Sequence, residues 1–441
     1  VGAGILAIPA VTQEAGFLAS AVTCVSCWIF MVVTGLLIAE VNVRTMCELG
    51  SGGVSLVSMA RRTLGTAGVQ TACWSYIFIH YALLVAYVAR SSDIMTNFLG
   101  IPTYALYSHL SYYKFGLDGQ HYDCRWECAT LFSLLLGGIC YFGSQRLIGA
   151  VNGLLVFGII ISFTALVAVA SGDLHWDALL KANLEAVPGS IPIVALSFVY
   201  QNVVPVLCTN LEGNLSKVRT AIVLGTAIPL VLFLVWNAVI LGTITGLEIV
   251  GSNKIVDPLE QLRSTNGAVG VSIKALSVIK DFISLLLTVD IQFFWEIDMY
   301  FFLVMNIILQ PIIEVFSLLA IATSYIGFVL GLADFLADLL KLPSGQSSPL
   351  PYLLTLIPPL ILSQLDPEIF FKALDFAGTY GVLVLFGIFP AAMAWADRYS
   401  SSSQPSELPL LVPGGRLTLS LVIGGAGSVI LSEIIEKFGH Q

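Results

Sequence analysis

The chain has 441 residues, 57% of them hydrophobic and 11% charged. Soluble domains carry about 25% charged residues, so a water-soluble globular protein is excluded. A formal net charge of −9 with no basic stripe in the sequence argues against a nucleic-acid partner.

Crossing a bilayer takes about 20 apolar residues, and the chain supplies such runs repeatedly. The opening stub, residues 1–11, is apolar but holds Gly2, Gly4 and Pro9. Long uncharged runs follow at 17–39, 70–89, 128–145, 147–172, 186–211 and 220–247. Further runs lie at 315–333, 350–365, 376–396 and 417–432, which makes about eleven membrane segments with the stub. Barrel strands would alternate apolar and polar residues, and these runs do not. The fold class expected is therefore all-α and integral to the membrane, because lipid satisfies no exposed backbone groups.

Arg44, Arg61 and Arg62 follow the second segment, Arg146 lies between the fourth and fifth, and Lys217 and Arg219 between the sixth and seventh. Lys341, Arg398 and Arg416 continue the pattern, which puts these connections on one side, the inner one. The alternate connections hold Asp173, Asp177 and Glu185, then Glu248, Asp257 and Glu260. Two stretches fit less smoothly. Residues 102–126 make a long polar loop, and 280–310 is apolar but carries Asp281, Asp290, Glu296 and Asp298. The second is too charged for a clean span and is expected to lie along the interface or form a short hairpin. Residues 400–409 read as a flexible linker. Glycine pairs at 149/153, 242/246 and 327/331 have the spacing of close helix packing. Cys24, Cys27, Cys73, Cys140 and Cys208 sit in apolar runs as small hydrophobes. His121, Cys124 and Cys128 match no standard zinc spacing, so neither a metal nor a cofactor is expected.

The sixth segment reads "SIPIVALSFVYQNVVPVLCTN". It puts Ser197, Tyr200, Gln201 and Asn202 at membrane depth, and Pro205 removes a backbone donor there. Four spans separate this interruption from the broken stub. Paired interruptions at corresponding places in two halves are the sequence mark of a transporter with inverted repeats. The halves would be 1–172 and 186–396, the second with an insertion near 275–310, followed by one extra helix at 417–437. The stub then reads as the unwound centre and outer half of a truncated first helix. Gly2 and Gly4 would let a ligand approach the backbone with no side chain in the way.

"VGAGILAIPAVTQEAGF", "SFVYQNVVPVLCTNLEGNLSKVRTAIVLGTAIPLVLFLVWNAVILG" and "FSLLAIATSYIGFVLGLADFLAD" resemble the aromatic amino acid permease family over most of the chain. That family belongs to the amino acid/polyamine/organocation superfamily, and its plant members are the closer match. The resemblance implies a LeuT-type 5+5 inverted repeat and proton-coupled symport of tyrosine, tryptophan and phenylalanine. It implies a multi-pass protein, in the plastid (chloroplast) envelope for the plant-type members. Carried over by motif, Gly2, Ala3, Gly4 and Ile5 would present backbone to the substrate carboxylate, and Ser197, Phe198, Tyr200, Gln201 and Asn202 would line the same site. Residues 102–126 and 275–310 depart from the family as insertions, and the first helix lacks its inner half.

Ion-coupling candidates are Thr323 and Ser324, whose hydroxyls either meet an ion or bond back to their own helix. His80 is an intramembrane histidine, either a proton relay or a packing residue. Glu314 precedes its span as an interfacial carboxylate or a coupling site. Few charges lie inside the spans, which suits a neutral amino acid. The sequence holds no H-E-x-x-H, P-loop or G-x-S-x-G, so an enzyme is not expected; "GLADF" at 331–335 has an aspartate without an evident partner. Transport of other neutral amino acids, sodium coupling, an inactive truncated product and a non-transporting sensor stay open at this level.

Overall fold

The computed structural model describes residues 4–50, 54–98, 124–170, 176–244, 292–342, 348–365, 369–399 and 409–439. Gly2, Ala3, the insertion at 102–126 but for its last residues, the 275–291 stretch and nearly all of the 400–409 linker lie outside them. No strand occurs among the described residues, and each of the expected segments coincides with a helix.

We label the helices α1 (Gly4–Thr12), α2 (Gly16–Leu49), α3 (Leu56–Phe98), α4 (Cys124–Phe142) and α5 (Gln145–Ala170). The sixth segment makes two short helices, α6 (Ile191–Ser197) and α7 (Val204–Asn210). Then come α8 (Leu215–Ile244), α9 (Gln292–Leu339), α10 (Leu350–Leu362), α11 (Ile369–Tyr399) and α12 (Gly415–Gly439). Among the described residues, 8 spans are long and apolar enough to cross a membrane, counting α6 and α7 as one. The protein is an integral, multi-pass membrane protein.

Three elements depart from the sequence reading. First, α2 and α3 run on past their apolar cores, so Arg44 and Arg62 stand on helices rather than in a loop. A kink at Gly65, φ 67° and ψ −152°, divides α3, and only glycine takes that backbone without strain. Second, α9 is one continuous helix of 48 residues, at ~1.5 Å per residue about 72 Å long. It joins the stretch from 292 onward to the 315–333 span, so that part is neither a separate interfacial helix nor a hairpin. Third, residues 377–388 of α11 are π-helical. The wider coil leaves Gly378 against the backbone carbonyl of Pro192 on α6, where a Cβ would overlap it.

The glycine pairs divide. Nothing lies within 4 Å of where a Cβ would stand at Gly149, Gly153 or Gly327. Among the described residues no neighbour packs on these three, against the expectation. Gly331 does pack closely, a Cβ there falling 3.2 Å from Tyr76 Oη and 3.4 Å from His80 Nε2.

Helix α2 lies along α8, and α9 packs against α5 and α3. The stub α1 is held by both kinds of contact. Ile5, Leu6 and Ile8 are at most 2% exposed. At its far end Thr12 donates to Asn237 Oδ1 on α8 (3.1 Å), and Asn237 Nδ2 donates to Ser20 Oγ on α2 (2.8 Å).

At one end of the bundle, charged groups from α2, α3 and α11 form a buried network. Arg398 donates to Glu40 through Nε (2.8 Å) and Nη2 (2.7 Å), a bidentate pair with both side chains at most 4% exposed. The backbone N–H of Leu411 adds a third bond to Glu40 (3.1 Å). Arg44 reaches Asp397 at 3.0 Å, Arg62 bonds the same carboxylate, and Arg62 also meets Glu48 at 2.7 Å. The arginines that the sequence places on one side thus meet at one end. The carboxylates that answer them stand just beyond the apolar runs, Glu40 inside the extended α2 and Asp397 in the last turn of α11.

Removing one partner of a buried pair leaves an uncompensated charge, at a cost of about 3–5 kcal/mol. Glu40→Ala is expected to lower the unfolding temperature in detergent sharply, and Glu40→Met combined with Arg398→Met to lower it less. Thermal unfolding of the purified variants checks this, and equal losses would contradict it.

Candidate functional site

The functional candidates gather where α6 gives way to α7. Helix α6 ends at Ser197, residues 198–200 leave helical geometry, one 3₁₀ turn covers Gln201–Val203, and α7 begins at Val204. The interruption falls where the sequence places it, near Gln201, but Pro205 is not its cause. Pro205 lies in the first turn of α7, where no intrahelical partner awaits an N–H and the ring presets the helical φ. The break comes from the residues before it. Tyr200 stands at φ −143° and ψ −3°, and its N–H donates to the Gln201 Oε1 (2.9 Å) instead of to a helix carbonyl.

Gly4, at the head of α1, meets the last turn of α6. A Cβ there would lie 2.6 Å from Ser197 Oγ, 2.7 Å from its Cβ and 3.0 Å from its Cα. The space left by the glycine is filled by α6 itself. The stub α1 and the interrupted sixth segment therefore touch, and Gly4 serves that approach. Ser197 Oγ donates back to Ile193 O (2.8 Å). Ile5 is 1% exposed within the core, and Phe198, also buried, packs edge-on against Phe233 of α8 with centroids 5.2 Å apart.

The remaining three residues divide by direction. Tyr200 and Gln201 are tied to α2 through Met31 and Thr34. Asn202 is exposed, and with Gln201 it lines a cavity of about 520 Å³. Helix α7 forms one wall with Pro205, Val206 and Thr209, and α3 another with Ala72 and Tyr76. Helix α9 closes it with Gly331, Asp334, Phe335 and Asp338. A cavity of this size with a few convergent polar groups is the usual form of a small-molecule site. The rings of Tyr76 and Phe335, both in its lining, pack against each other at 4.5 Å. Asp334 and Asp338 lie one turn apart on α9, and no lysine or arginine lines the cavity among the described residues. Sequence reasoning set the 331–335 segment aside for want of a partner aspartate. Asp338 follows it at i+4, a spacing that signals one helix face.

The ion-coupling candidates stand apart from this cavity's walls. Thr323 and Ser324 both bond back to Ala320 O, at 3.0 and 3.2 Å. His80 is 3% exposed, stacks on Tyr76 at 3.9 Å and donates its Nδ1–H to Tyr76 O (2.8 Å), with Phe328 at 4.9 Å. Glu314 is 2% exposed, so it is no wetted interfacial carboxylate; it sits on α9 near Ser317, itself 1% exposed. Among the described residues no group of three or more metal-ligating side chains occurs.

An interrupted membrane helix beside a largely apolar cavity with a few polar groups, within a bundle of membrane spans, fits the class of small-molecule membrane transporters. The comparison with known proteins narrows the class. The tryptophan/tyrosine permease family matches residues 1–288 and 295–433, and the chain belongs to that family. It is 27% identical to the tyrosine-specific transport system 2 of Haemophilus influenzae, over 100% of this chain and 94% of that protein. It is 24% identical to a tryptophan-specific transport protein of the same organism, over 96% and 90%. Glutamine transporter 2 of Aliivibrio fischeri is 22% identical over 98% and 96%. These relatives are transporters, not enzymes.

Enlarging Gly4 should separate α1 from α6. Gly4→Ala is expected to destabilise by about 1–3 kcal/mol, the usual effect of overpacking. Ser197→Gly in the same chain should recover most of that loss. Thermal unfolding of the two variants decides it; no recovery in the double variant would mean that the contact is not what fixes the glycine.

Proposed function

We propose that this protein is a secondary transporter of aromatic amino acids, which reach the cavity beside the α6–α7 break. The observation that carries the reading is that cavity. It joins two carboxylates with no lysine or arginine among the described walls, an exposed amide and a pair of aromatic rings next to an interrupted helix, in a chain similar to tyrosine and tryptophan permeases over nearly all of its length. A zwitterionic substrate needs an anion for its ammonium group, a donor for its carboxylate and an apolar face for its side chain. Asp334 is assigned the first role, Asn202 the second, and Tyr76 and Phe335 the third. The two halves, 1–172 and 186–396, are read as inverted repeats that alternate access to this site, with 417–437 as the added helix.

Coupling is assigned to a proton. Of Thr323, Ser324, His80 and Glu314, only Glu314 is an acid buried within a span, and carboxylates in that setting mark proton relays in transporters. The plastid envelope is the membrane proposed, on the resemblance to plant members. The glutamine-transporting relative favours one second reading, a broader neutral amino acid specificity.

Uptake of labelled tyrosine and tryptophan into proteoliposomes under a pH gradient or a sodium gradient tests the function. Accumulation driven by the pH gradient and competed by phenylalanine, but not by glutamine, is expected. Competition by glutamine would establish the broader specificity, and no uptake under either gradient would end the transport reading.

Two variants extend the test. Asp334→Asn should raise KM for tyrosine roughly tenfold or more, since a charge-assisted bond is worth about 1.5–3 kcal/mol. Glu314→Gln should abolish pH-driven accumulation while leaving exchange of internal for external tyrosine. Loss of both activities would assign Glu314 a structural role instead.

A further inference from the structure

The break between α6 and α7 is not held by its own two halves. Its loose N–H, that of Tyr200, is taken by the Gln201 side chain, and the same side chain is fastened to α2. Gln201 Nε2 donates to Met31 O (3.3 Å) and to Thr34 Oγ1 (3.2 Å), and the residue is 1% exposed. The hydroxyl of Tyr200 donates to the same Met31 O (3.1 Å). One carbonyl of α2 thus receives both residues of the break.

Gly35, one turn on from Met31, makes room for this arrangement. A Cβ there would overlap the Tyr200 Oη and lie 2.6 Å from Cζ and 3.0 Å from Cε2. Gly35 sits inside the continuous helix α2, and its φ is not among the positive ones. The backbone does not require glycine at this place; the tyrosine ring does. The ring cannot relieve an added methyl by moving its tip alone, because two ring carbons as well as the oxygen stand over the site. It must tilt, and a tilt takes the hydroxyl off Met31 O, which Gln201 shares.

We propose that Gly35, with Met31 and Thr34, forms a notch on α2 that fixes the break between α6 and α7 and so sets where Gln201 and Asn202 stand in the cavity. Gly35 is then a positioning residue for transport. It touches no substrate, and its effect passes through Tyr200. The inference rests on the transport reading above for its consequence, though not for its geometry.

The test is a mutant cycle with a readout that loss of folded protein does not move. Gly35→Ala is expected to raise KM for tyrosine uptake roughly tenfold, in line with the steep cost of small misplacements in a site. The maximal rate per inserted transporter should change less. Tyr200→Leu removes the overlapping oxygen and the ring carbons Cζ and Cε2, along with the hydrogen bond. Alone it should raise KM about two- to fivefold, and combined with Gly35→Ala it should give the KM of Tyr200→Leu alone, the non-additivity expected of residues in contact. An unchanged KM in Gly35→Ala, or a double variant no better than Gly35→Ala, overturns the notch. Should Gly35→Ala not reach the membrane, Thr34→Val and Tyr200→Leu decide, and unchanged KM in both overturns it.

A second measurement needs no transport. In a background with Cys47, Cys73 and Cys124 changed to serine, the labelling rate of Asn202→Cys by a hydrophilic maleimide reports the position of the break. Gly35→Ala should change that rate at least about threefold, and Tyr200→Leu added to it should bring the rate back towards that of Tyr200→Leu alone. A constant rate overturns the notch even where uptake fails. Absent uptake in the unmodified protein, with the labelling effect present, overturns the transport reading alone.

Discussion

The side chain of Gln201 carries the constraint on which the site depends. Inside a bilayer a backbone N–H or carbonyl without a partner costs several kcal/mol, so a helix is broken only where something else takes up the freed groups. Here a glutamine next to the break accepts from Tyr200 N and passes its own amide to α2. The interruption is thereby a built feature with a fixed geometry rather than a frayed end. It also makes α2 the reference element of the site. The same helix bonds Asn237 through Ser20 and, through it, α1, and its Trp28 Nε1 donates to Thr226 on α8 at 3.0 Å. Helices α1 and α6 are in contact at Gly4 and Ser197; α1 packs on α2 and α8, and α6 on α2.

Charge follows a matching rule with a contrasting outcome. Buried carboxylates are costly unless paired, and Glu40 and Asp397 at the bundle end are paired with three arginines between them. Asp334 and Asp338 are treated differently: the cavity they face offers no lysine or arginine among its described walls. The chain has arginines enough to neutralise both, yet places them around Glu40 and Asp397. A carboxylate left open to a cavity keeps its hydration until a cation replaces it. That is the physical basis for assigning Asp334 to a substrate ammonium group.

The helical fold was legible because the apolar runs are long and continuous, and the eleven expected segments each coincide with a helix. The break near Gln201 was legible from the run of polar residues at 200–202, although its cause was misattributed to Pro205. The direction of each side chain was not. Tyr200, Gln201 and Asn202 are consecutive, and spacing alone gives no reason for two of them to turn to α2 and the third to the cavity. The need for glycine at 35 was equally hidden, since a helix-interior glycine in an apolar span is common and the ring that requires it lies 165 residues further on, at Tyr200. The pairing of Arg44, Arg62 and Arg398 escaped for the same reason. Their partners Glu40 and Asp397 stand at the margins of apolar runs, and only tertiary contact brings α2, α3 and α11 together.

The division of labour among those three consecutive residues bears on how the site binds. A site made of loose backbone would have to be ordered by its ligand, and the entropy of that ordering would subtract from affinity. At this break the ordering is done beforehand by α2, through bonds that are buried and away from the cavity. What is left facing the cavity is one exposed amide, Asn202, on a backbone that is already fixed. A ligand there meets a preset donor, and specificity among amino acids falls to the groups that contact the side chain. Those are the rings of Tyr76 and Phe335, packed against each other in the cavity lining. The ammonium and carboxylate contacts are common to every amino acid and cannot discriminate among them. Substrate choice is therefore expected to vary with residues 76 and 335, while the break and its anchor on α2 serve any zwitterionic substrate alike.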